Sequence, residues 1–213
     1  MKNYTRLLSL AVLLLLVGMF GGCKGKMTKH AVKKGEVFKA SIEDFEKNRQ
    51  KFSGQVSEAI GQANESLAEE NPNTETISKD FEKDWTNIQN RYSKMKKDFD
   101  DVGKSSTAYF NHLDELATGI NREDLRKSEL GKNKELLVIW EEQYTEAARS
   151  IQAVEQVLVE GNDFQRVLLL SSVRDKIQQD IADLNELSAQ AETLLKDLEA
   201  FTDAGRKLVK NEG

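Results

Sequence analysis

The sequence predicts an all-α protein over residues 36–210, folded as an elongated antiparallel helical bundle or coiled coil of four long helices. Beyond about residue 35, apolar residues recur at alternating steps of three and four, which is the period of helices that wind about one another. The composition also favours helices, because the 213 residues include one proline and 31% charged residues. Turn-forming residues then divide the apolar pattern into separate segments of helical length.

The first two segments carry the most regular apolar stripes. Asn71-Pro72-Asn73 contains the one proline and predicts the end of the first helix. Thr74 or Thr76 is expected to cap the second helix by accepting a hydrogen bond from a free backbone N–H, and Gly119 is expected to end it. The predicted core residues of these segments are Phe38, Ile42, Phe45, Arg49, Phe52, Val56, Ala59, Ala63, Leu67, Ile77, Phe81, Trp85, Ile88, Tyr92, Met95, Phe99, Val102, Ser106, Tyr109, Leu113 and Leu116.

The third and fourth segments have weaker boundaries. The third is expected to begin near Asn121 and to be interrupted at Gly131. It is expected to end at Gly161-Asn162-Asp163, with Asp163 as the cap of the last helix. The predicted core residues here are Leu137, Trp140, Tyr144, Ala147, Ile151, Val154, Leu158, Val173, Ile177, Ile181, Leu184, Leu187, Ala191, Leu194, Leu198, Phe201 and Leu208.

The connections between segments are short, which predicts how the helices are arranged. Short connections force successive helices to run antiparallel, so the segments predict an up-down-up-down bundle or two packed hairpins. At 1.5 Å per residue the second helix would be roughly 60 Å long, and a helix of that length indicates a rod-like molecule.

Residues 1–22 have the three-part plan of an export signal peptide. Lys2 and Arg6 precede an apolar run over residues 7–20, and Gly21-Gly22-Cys23 follows. Small residues directly before a cysteine resemble the lipobox of bacterial lipoproteins, which implies cleavage before the cysteine and attachment of lipid to it. An uncleaved membrane anchor and ordinary secretion are the alternatives.

Residues 23–35 are predicted to form a lipidated, flexible and basic tether. Its cations are suited to anionic lipid headgroups, at about 1 kcal/mol for each cation near the surface, and a merely solvated linker is the alternative. In Gram-negative lipoproteins the residue after the cysteine directs sorting, so Lys24 implies the periplasmic face of the outer membrane in such an organism. The predicted membrane-proximal cations are Lys24, Lys26, Lys29, Lys33 and Lys34.

Charge and residue content argue against several classes of function. The net charge is −5, and removal of residues 1–22 leaves 29 basic and 36 acidic residues, or −7, which argues against nucleic acid as a partner. Neither His30 nor His112 has a glutamate three residues before it, so no metal or cofactor is expected. The sequence also lacks a Ser-His-Asp arrangement, a phosphate-binding loop and an HExxH motif, so we expect the protein not to be an enzyme.

The last segment opens with more apolar residues than the start of a solvated helix requires. This cluster is predicted either to close the tip of the bundle or to form an interaction patch for a partner or lipid. Its members are Phe164, Val167, Leu168, Leu169 and Leu170.

Several short segments follow one another in an order shared with known helical lipoproteins. They are Tyr109 to Leu116, Asp124-Leu125-Arg126, a helix from Ser128 to Tyr144, Val167 to Leu170 and a closing helix that ends at Phe201. With the lipobox and basic linker, this order resembles an uncharacterised family of proteobacterial helical lipoproteins with a domain of unknown function. The resemblance implies a helical architecture and a lipid anchor, and it implies no catalytic residue and no activity.

The expected function is that of a non-enzymatic, lipid-anchored scaffold, spacer or adaptor in the cell envelope, which contacts an unidentified envelope protein through a helix face. One alternative is a small-ligand binder with a cavity among the stripe aromatics, and another is a protein that binds the membrane surface. Self-association stays open, because long apolar stripes often extend beyond the intramolecular bundle. The aromatics of the ligand-binding alternative are Trp85, Tyr92, Trp140 and Tyr144.

Overall fold

The computed structural model describes residues 29–174 and 177–210 of the chain. Within these ranges the protein consists of long helices and has no strand. We name the helices α1 (Lys29–Leu67), α2 (Thr74–Thr118), α3 (Glu123–Arg174) and α4 (Ile177–Lys210). The all-α fold predicted from the sequence is therefore confirmed.

The helices form a ring in which α1 lies beside α2, α2 beside α3, α3 beside α4 and α4 beside α1. Neighbours run antiparallel: Phe38 near the start of α1 lies 5.5 Å from Tyr109 near the end of α2, measured between ring centroids. Further along, the Phe52 and Tyr92 rings are 6.1 Å apart. The 52 residues of α3 span about 78 Å, so the bundle is an elongated rod.

The predicted stripes are the core of this rod. Every predicted core residue of α1 is buried, and so is every one of α2 from Ile77 to Tyr109. The stripe weakens at the end of α2, where Leu113 and Leu116 are only half-buried. On α4 the fully enclosed leucine is Leu195, while Leu194 is half-buried.

Some helix boundaries differ from those predicted. Helix α1 begins at Lys29, so residues 29–35 are helical rather than a flexible tether, as suits their helix-forming lysines and alanine. The cap of α2 is Asn73, whose side chain accepts a hydrogen bond from the N–H of Thr76 at 3.1 Å, so the prediction of a threonine cap was wrong. Gly119 follows the last residue of α2, as predicted.

The predicted end of the third helix at Gly161 was wrong, because α3 continues through Gly131 and Gly161 to Arg174. Gly161 lies where α3 faces the indole of Trp85 on α2, and a Cβ at this position would overlap that ring. The indole Nε1–H donates to the backbone oxygen of Leu158 at 3.0 Å, one turn earlier on α3. Gly161 is therefore a packing residue, and Asp163 is an interior helix residue rather than a cap.

Two other helical glycines admit aromatic side chains in the same way. A Cβ at Gly103 would lie 2.5 Å from the hydroxyl oxygen of Tyr144, and one at Gly205 would lie 2.8 Å from Cδ1 of Ile42 and 3.2 Å from Cζ3 of Trp140. A glycine has no Cβ, so the opposing helix can approach closely with a large ring between them. Together with Gly161, these glycines place aromatic rings at fixed levels along the rod.

A buried ion pair also fixes the relative positions of helices α1 and α4. The guanidinium of Arg49 donates from Nε to Glu46 Oε2 at 2.7 Å and from Nη2 to Oε1 at 2.8 Å. Its Nη1 donates to the backbone oxygen of Leu195 on α4 at 3.1 Å. Burial alone raises the pKa of Glu46, but the hydrogen bonds and charge of Arg49 outweigh it, so the pKa lies below its ordinary value.

Replacing Gly161 with alanine is expected to destabilise the protein by about 1–3 kcal/mol, because the added methyl collides with an indole anchored by its own hydrogen bond. The matched control is Gly131→Ala, at which a Cβ meets no described atom within 4 Å. This control should stabilise by about 0.5–1 kcal/mol through helix propensity alone. Urea unfolding of both variants measures the difference, and equal effects would contradict the packing role of Gly161.

Replacing Arg49 with methionine is expected to lower the free energy of unfolding at pH 7 by about 3–5 kcal/mol, because Glu46 stays buried without its partner. In the native protein, Glu46 contributes stability above its unfolded pKa of roughly 4 that is lost as the pH falls through its lowered folded pKa. In the Arg49→Met variant, protonation of Glu46 removes an unpaired buried charge, so a fall in pH reduces the destabilisation.

The difference in free energy of unfolding between the native protein and Arg49→Met should therefore become smaller as the pH falls from 7 towards 4. The double variant Glu46→Leu with Arg49→Met is the control, and it should recover much of the loss. Urea unfolding across this pH range measures these stabilities. If the stability lost in Arg49→Met does not change with pH, the unpaired charge of Glu46 is not the cause of the loss.

Candidate functional site

The two ends of the bundle are built from different parts of the chain. One end, called the anchor end, contains the start of α1, the α2–α3 connection (119–122) and the end of α4. The other, called the distal end, contains the α1–α2 connection (68–73), the end of α3 and the start of α4. These ends lie a whole helix length apart.

The predicted lipid-anchor residues lead to the anchor end. Cys23, Lys24 and Lys26 lie outside the described residues. Lys29 is the first residue of α1, and in its next turn the side chain of Lys33 is exposed and that of Lys34 is half-buried. In the described part of the chain, no helix combines the length and apolar character needed to cross a membrane.

Charge is distributed unevenly along the rod. The hydrogen bond from Arg91 to Gln55, at 3.3 Å, marks a level nearer the distal end, because 17 residues of α2 precede Arg91 and 27 follow it. On the anchor side of this level, residues 29–54, 91–154 and 191–210 contain 22 basic and 20 acidic residues, a net charge of +2. On the distal side, residues 55–90, 155–174 and 177–190 contain 4 basic and 14 acidic residues, a net charge of −10. The acidic charge is therefore concentrated in the shorter, distal part of the bundle, called the acidic half, whereas the longer part, called the basic half, is close to neutral.

The predicted apolar cluster lies at the distal end and divides between core and surface. Phe164 and Leu168 are buried in the core, where the Phe164 ring packs edge-on against Phe81 at 5.1 Å. Leu169 and Leu170 keep 43% and 49% of their surface exposed, and Val167 keeps 36%. The two proposed roles of the cluster thus fall on different residues, and its exposed members provide apolar surface for contact.

A groove opens between α3 and α4 beside this cluster, with a volume of about 340 Å³. Its floor is apolar and is formed by Phe164 and Leu187, which are buried, with Val167 at one side. The other lining residues are Glu160, Asp163, Asp183, Glu186 and Gln190. Among the described residues, the lining therefore combines an apolar floor with carboxylates from both helices and includes no lysine or arginine.

The aromatic residues of the ligand-binding alternative belong to separate groups in the core. Trp85 stacks on Phe81 at the distal end, with ring centroids 5.1 Å apart, and Tyr92 packs against Phe52. Tyr144 stacks on Phe99 at 4.5 Å in the anchor half, and Trp140 lies beside it. These rings pack against other rings at three levels of the rod, and the groove between α3 and α4 is lined by none of them.

Metal-ligating and catalytic residue types are dispersed in the described part of the chain. No group of three or more His, Cys, Asp or Glu residues there has the geometry to hold a metal ion. His112 lies on α2, and its Nδ1 is 3.0 Å from a carboxylate oxygen of Glu115, one turn away. This contact lies within one helix, and the His112 side chain is 15% exposed.

Two features of this surface were not predicted from the sequence. The acidic half is assembled from chain segments that are far apart, so its charge becomes visible only after the helices are paired. The groove depends in addition on the alignment of α3 with α4. The available signal was the density of Asp and Glu in residues 55–90 and 155–190.

Comparisons with known proteins identify no relative of this chain. No family model, curated protein or solved structure matches it. The resemblance to helical lipoproteins of unknown function therefore stays a prediction.

Truncation within the apolar cluster should separate its structural and surface residues. Leu168→Ala is expected to destabilise the protein by about 2–5 kcal/mol, because it empties a fully enclosed site. Leu170→Ala, which removes the same atoms from a half-exposed position, should change stability by less than about 0.5 kcal/mol. Thermal or urea unfolding measures both, and a large loss for Leu170→Ala would place that residue in the core.

Proposed function

We propose that this protein is a lipid-anchored helical spacer of the bacterial cell envelope, which holds an acidic contact surface away from the membrane. Lipid on Cys23 would attach the anchor end of the bundle, and the rod would project the distal end outward. The observation that carries the proposal is the concentration of acidic charge towards the distal end of the rod, opposite the start of α1, which follows the predicted lipidation site in the chain.

The charge distribution favours an upright rod on an anionic membrane. Cations close to such a surface contribute about 1 kcal/mol each, and the acidic half is repelled by the same potential. Lys33 lies at the anchor end, and so do Lys207 and Arg206 at the close of α4. A rod lying flat would bring the acidic half, with its net charge of −10, against the headgroups.

The length of the rod supports the role of a spacer. The 45 residues of α2 span about 68 Å. Membrane surface potentials fall off over the Debye length, which is about 8 Å at physiological salt. The distal end of an upright rod would therefore lie far outside the electrostatic influence of the membrane, where another protein can reach it.

Förster resonance energy transfer from a dye on the protein to an acceptor dye in the membrane tests this orientation. The experiment uses the full-length acylated protein in anionic lipid vesicles. Cys23 is the only cysteine, and acylation blocks it, so a new cysteine can carry the sole dye. Ser128→Cys reports on the anchor end and Asn71→Cys on the distal end, because both positions are exposed and uncharged. An acceptor dye in the lipid should quench the first label strongly and the second weakly.

The control for the anchor in this experiment is the protein without residues 1–23, and this truncation should abolish stable membrane association, because the remaining lysines bind weakly in physiological salt. Equal quenching of both labels would mean that the rod lies flat. Stronger quenching at residue 71 would reverse the orientation. Either result would overturn the spacer proposal.

A further inference from the structure

The groove between α3 and α4 differs from an ordinary seam between paired helices. Positions that flank such a seam commonly carry opposite charges, which attract across the interface. Here Glu160 and Asp163 on α3 line the same groove as Asp183 and Glu186 on α4. Like charges on both sides weaken the pairing of these two helices at this level and create a strongly negative channel over an apolar floor.

The groove is shaped to receive side chains from another helix. Its lining residues recur at spacings of three and four on both α3 and α4, so the groove runs along the two helix axes. A volume of about 340 Å³ accommodates a few side chains rather than a folded domain. An amphipathic helix that lies lengthwise can insert its apolar stripe between two supporting helices.

Exposed apolar surface continues beyond the groove on the α3 side. Val167 lies at the groove itself, and Leu170 lies seven residues after Asp163, which places it on the same side of α3. Both residues are at least 36% exposed. An apolar strip therefore extends from the carboxylate-lined groove towards the end of α3.

We infer that this groove binds a cationic amphipathic helix of a partner protein, with apolar side chains on the floor and lysine or arginine against the carboxylates. Charge complementarity identifies the occupant, since each ionisable group among the described lining residues is acidic. Asp163 already holds Arg166 at 3.2 Å, in an exposed ion pair that shows how a guanidinium can be accommodated at this rim.

A second copy of this chain does not fit the same description. Two distal ends placed together would bring acidic grooves against each other. A head-to-tail contact would join the basic anchor end of one copy to the groove of the next, but copies anchored in one membrane keep their anchor ends at one height. This second exclusion, unlike the groove itself, rests on the proposed upright anchoring.

Peptide binding tests the inference with the full-length acylated protein in micelles of an uncharged detergent. The probe is a fluorescent synthetic peptide of 18 residues, with leucines on one helical stripe and lysines elsewhere. A scrambled peptide of the same composition, which has no apolar stripe, is the first control. Fluorescence anisotropy, corrected for empty micelles, should show binding of the amphipathic peptide and much weaker binding of the scrambled one.

Matched variants then locate the site. Asp183→Asn with Glu186→Gln removes two charges from the groove, and it should weaken binding about fivefold to tenfold. Glu69→Gln with Glu70→Gln removes two exposed charges from the same end outside the groove, and it should change binding less than about twofold. Val167→Lys adds a cation at the groove and should weaken binding more than either pair.

Equal weakening by the two charge pairs would show general attraction to the acidic half and would overturn the groove assignment. Absence of binding, or equal binding of the scrambled peptide, would overturn it as well. Thermal melting followed by circular dichroism confirms that each variant is folded. The membrane orientation is measured separately with vesicles. Peptide binding can therefore contradict the groove assignment without affecting the spacer proposal, and the vesicle experiment can contradict the spacer proposal without affecting the groove assignment.

Discussion

The structure depends on one constraint, which is that each helix carries a long apolar stripe that must be covered by other helices. A stripe on a helix of 34 to 52 residues can be covered by other helices of similar length, laid side by side. Short connections then impose the antiparallel ring α1–α2–α3–α4. The rod shape, the two distinct ends and the distance between them all follow from this requirement.

Antiparallel pairing over the full length also explains how function can arise from a chain without catalytic motifs. The ring brings residues 55–90 beside residues 155–190, and acidic residues that are dispersed along the sequence become one acidic half. The same pairing sets α3 against α4, so that carboxylates from both helices surround a single groove. The proposed spacer uses the length of the bundle, and the proposed helix site uses its distal seam.

Most of the fold could be predicted from the sequence, because the spacing of apolar residues determines which face of a helix is buried. Predictions failed where the role of a residue depends on what lies opposite it. Gly161 has the local character of a helix end, yet it is a packing site because Trp85 faces it. The position of Arg49 within an apolar stripe is evident from the sequence. Only the structure shows that its guanidinium donates hydrogen bonds to Glu46 and to the backbone oxygen of Leu195 on α4. The groove required the alignment of α3 with α4, which the pattern of either helix does not determine.

The central claim is that a rod of packed helices stands upright on its lipid anchor. Neutron reflectometry of the acylated protein on a supported anionic bilayer measures the thickness of the protein layer directly. An upright bundle predicts a layer of about 70–80 Å, from the length of α3 at 1.5 Å per residue. A layer of about 20–25 Å, the width expected for four helices packed 8–10 Å apart, would mean that the rod lies on the membrane and would contradict this account.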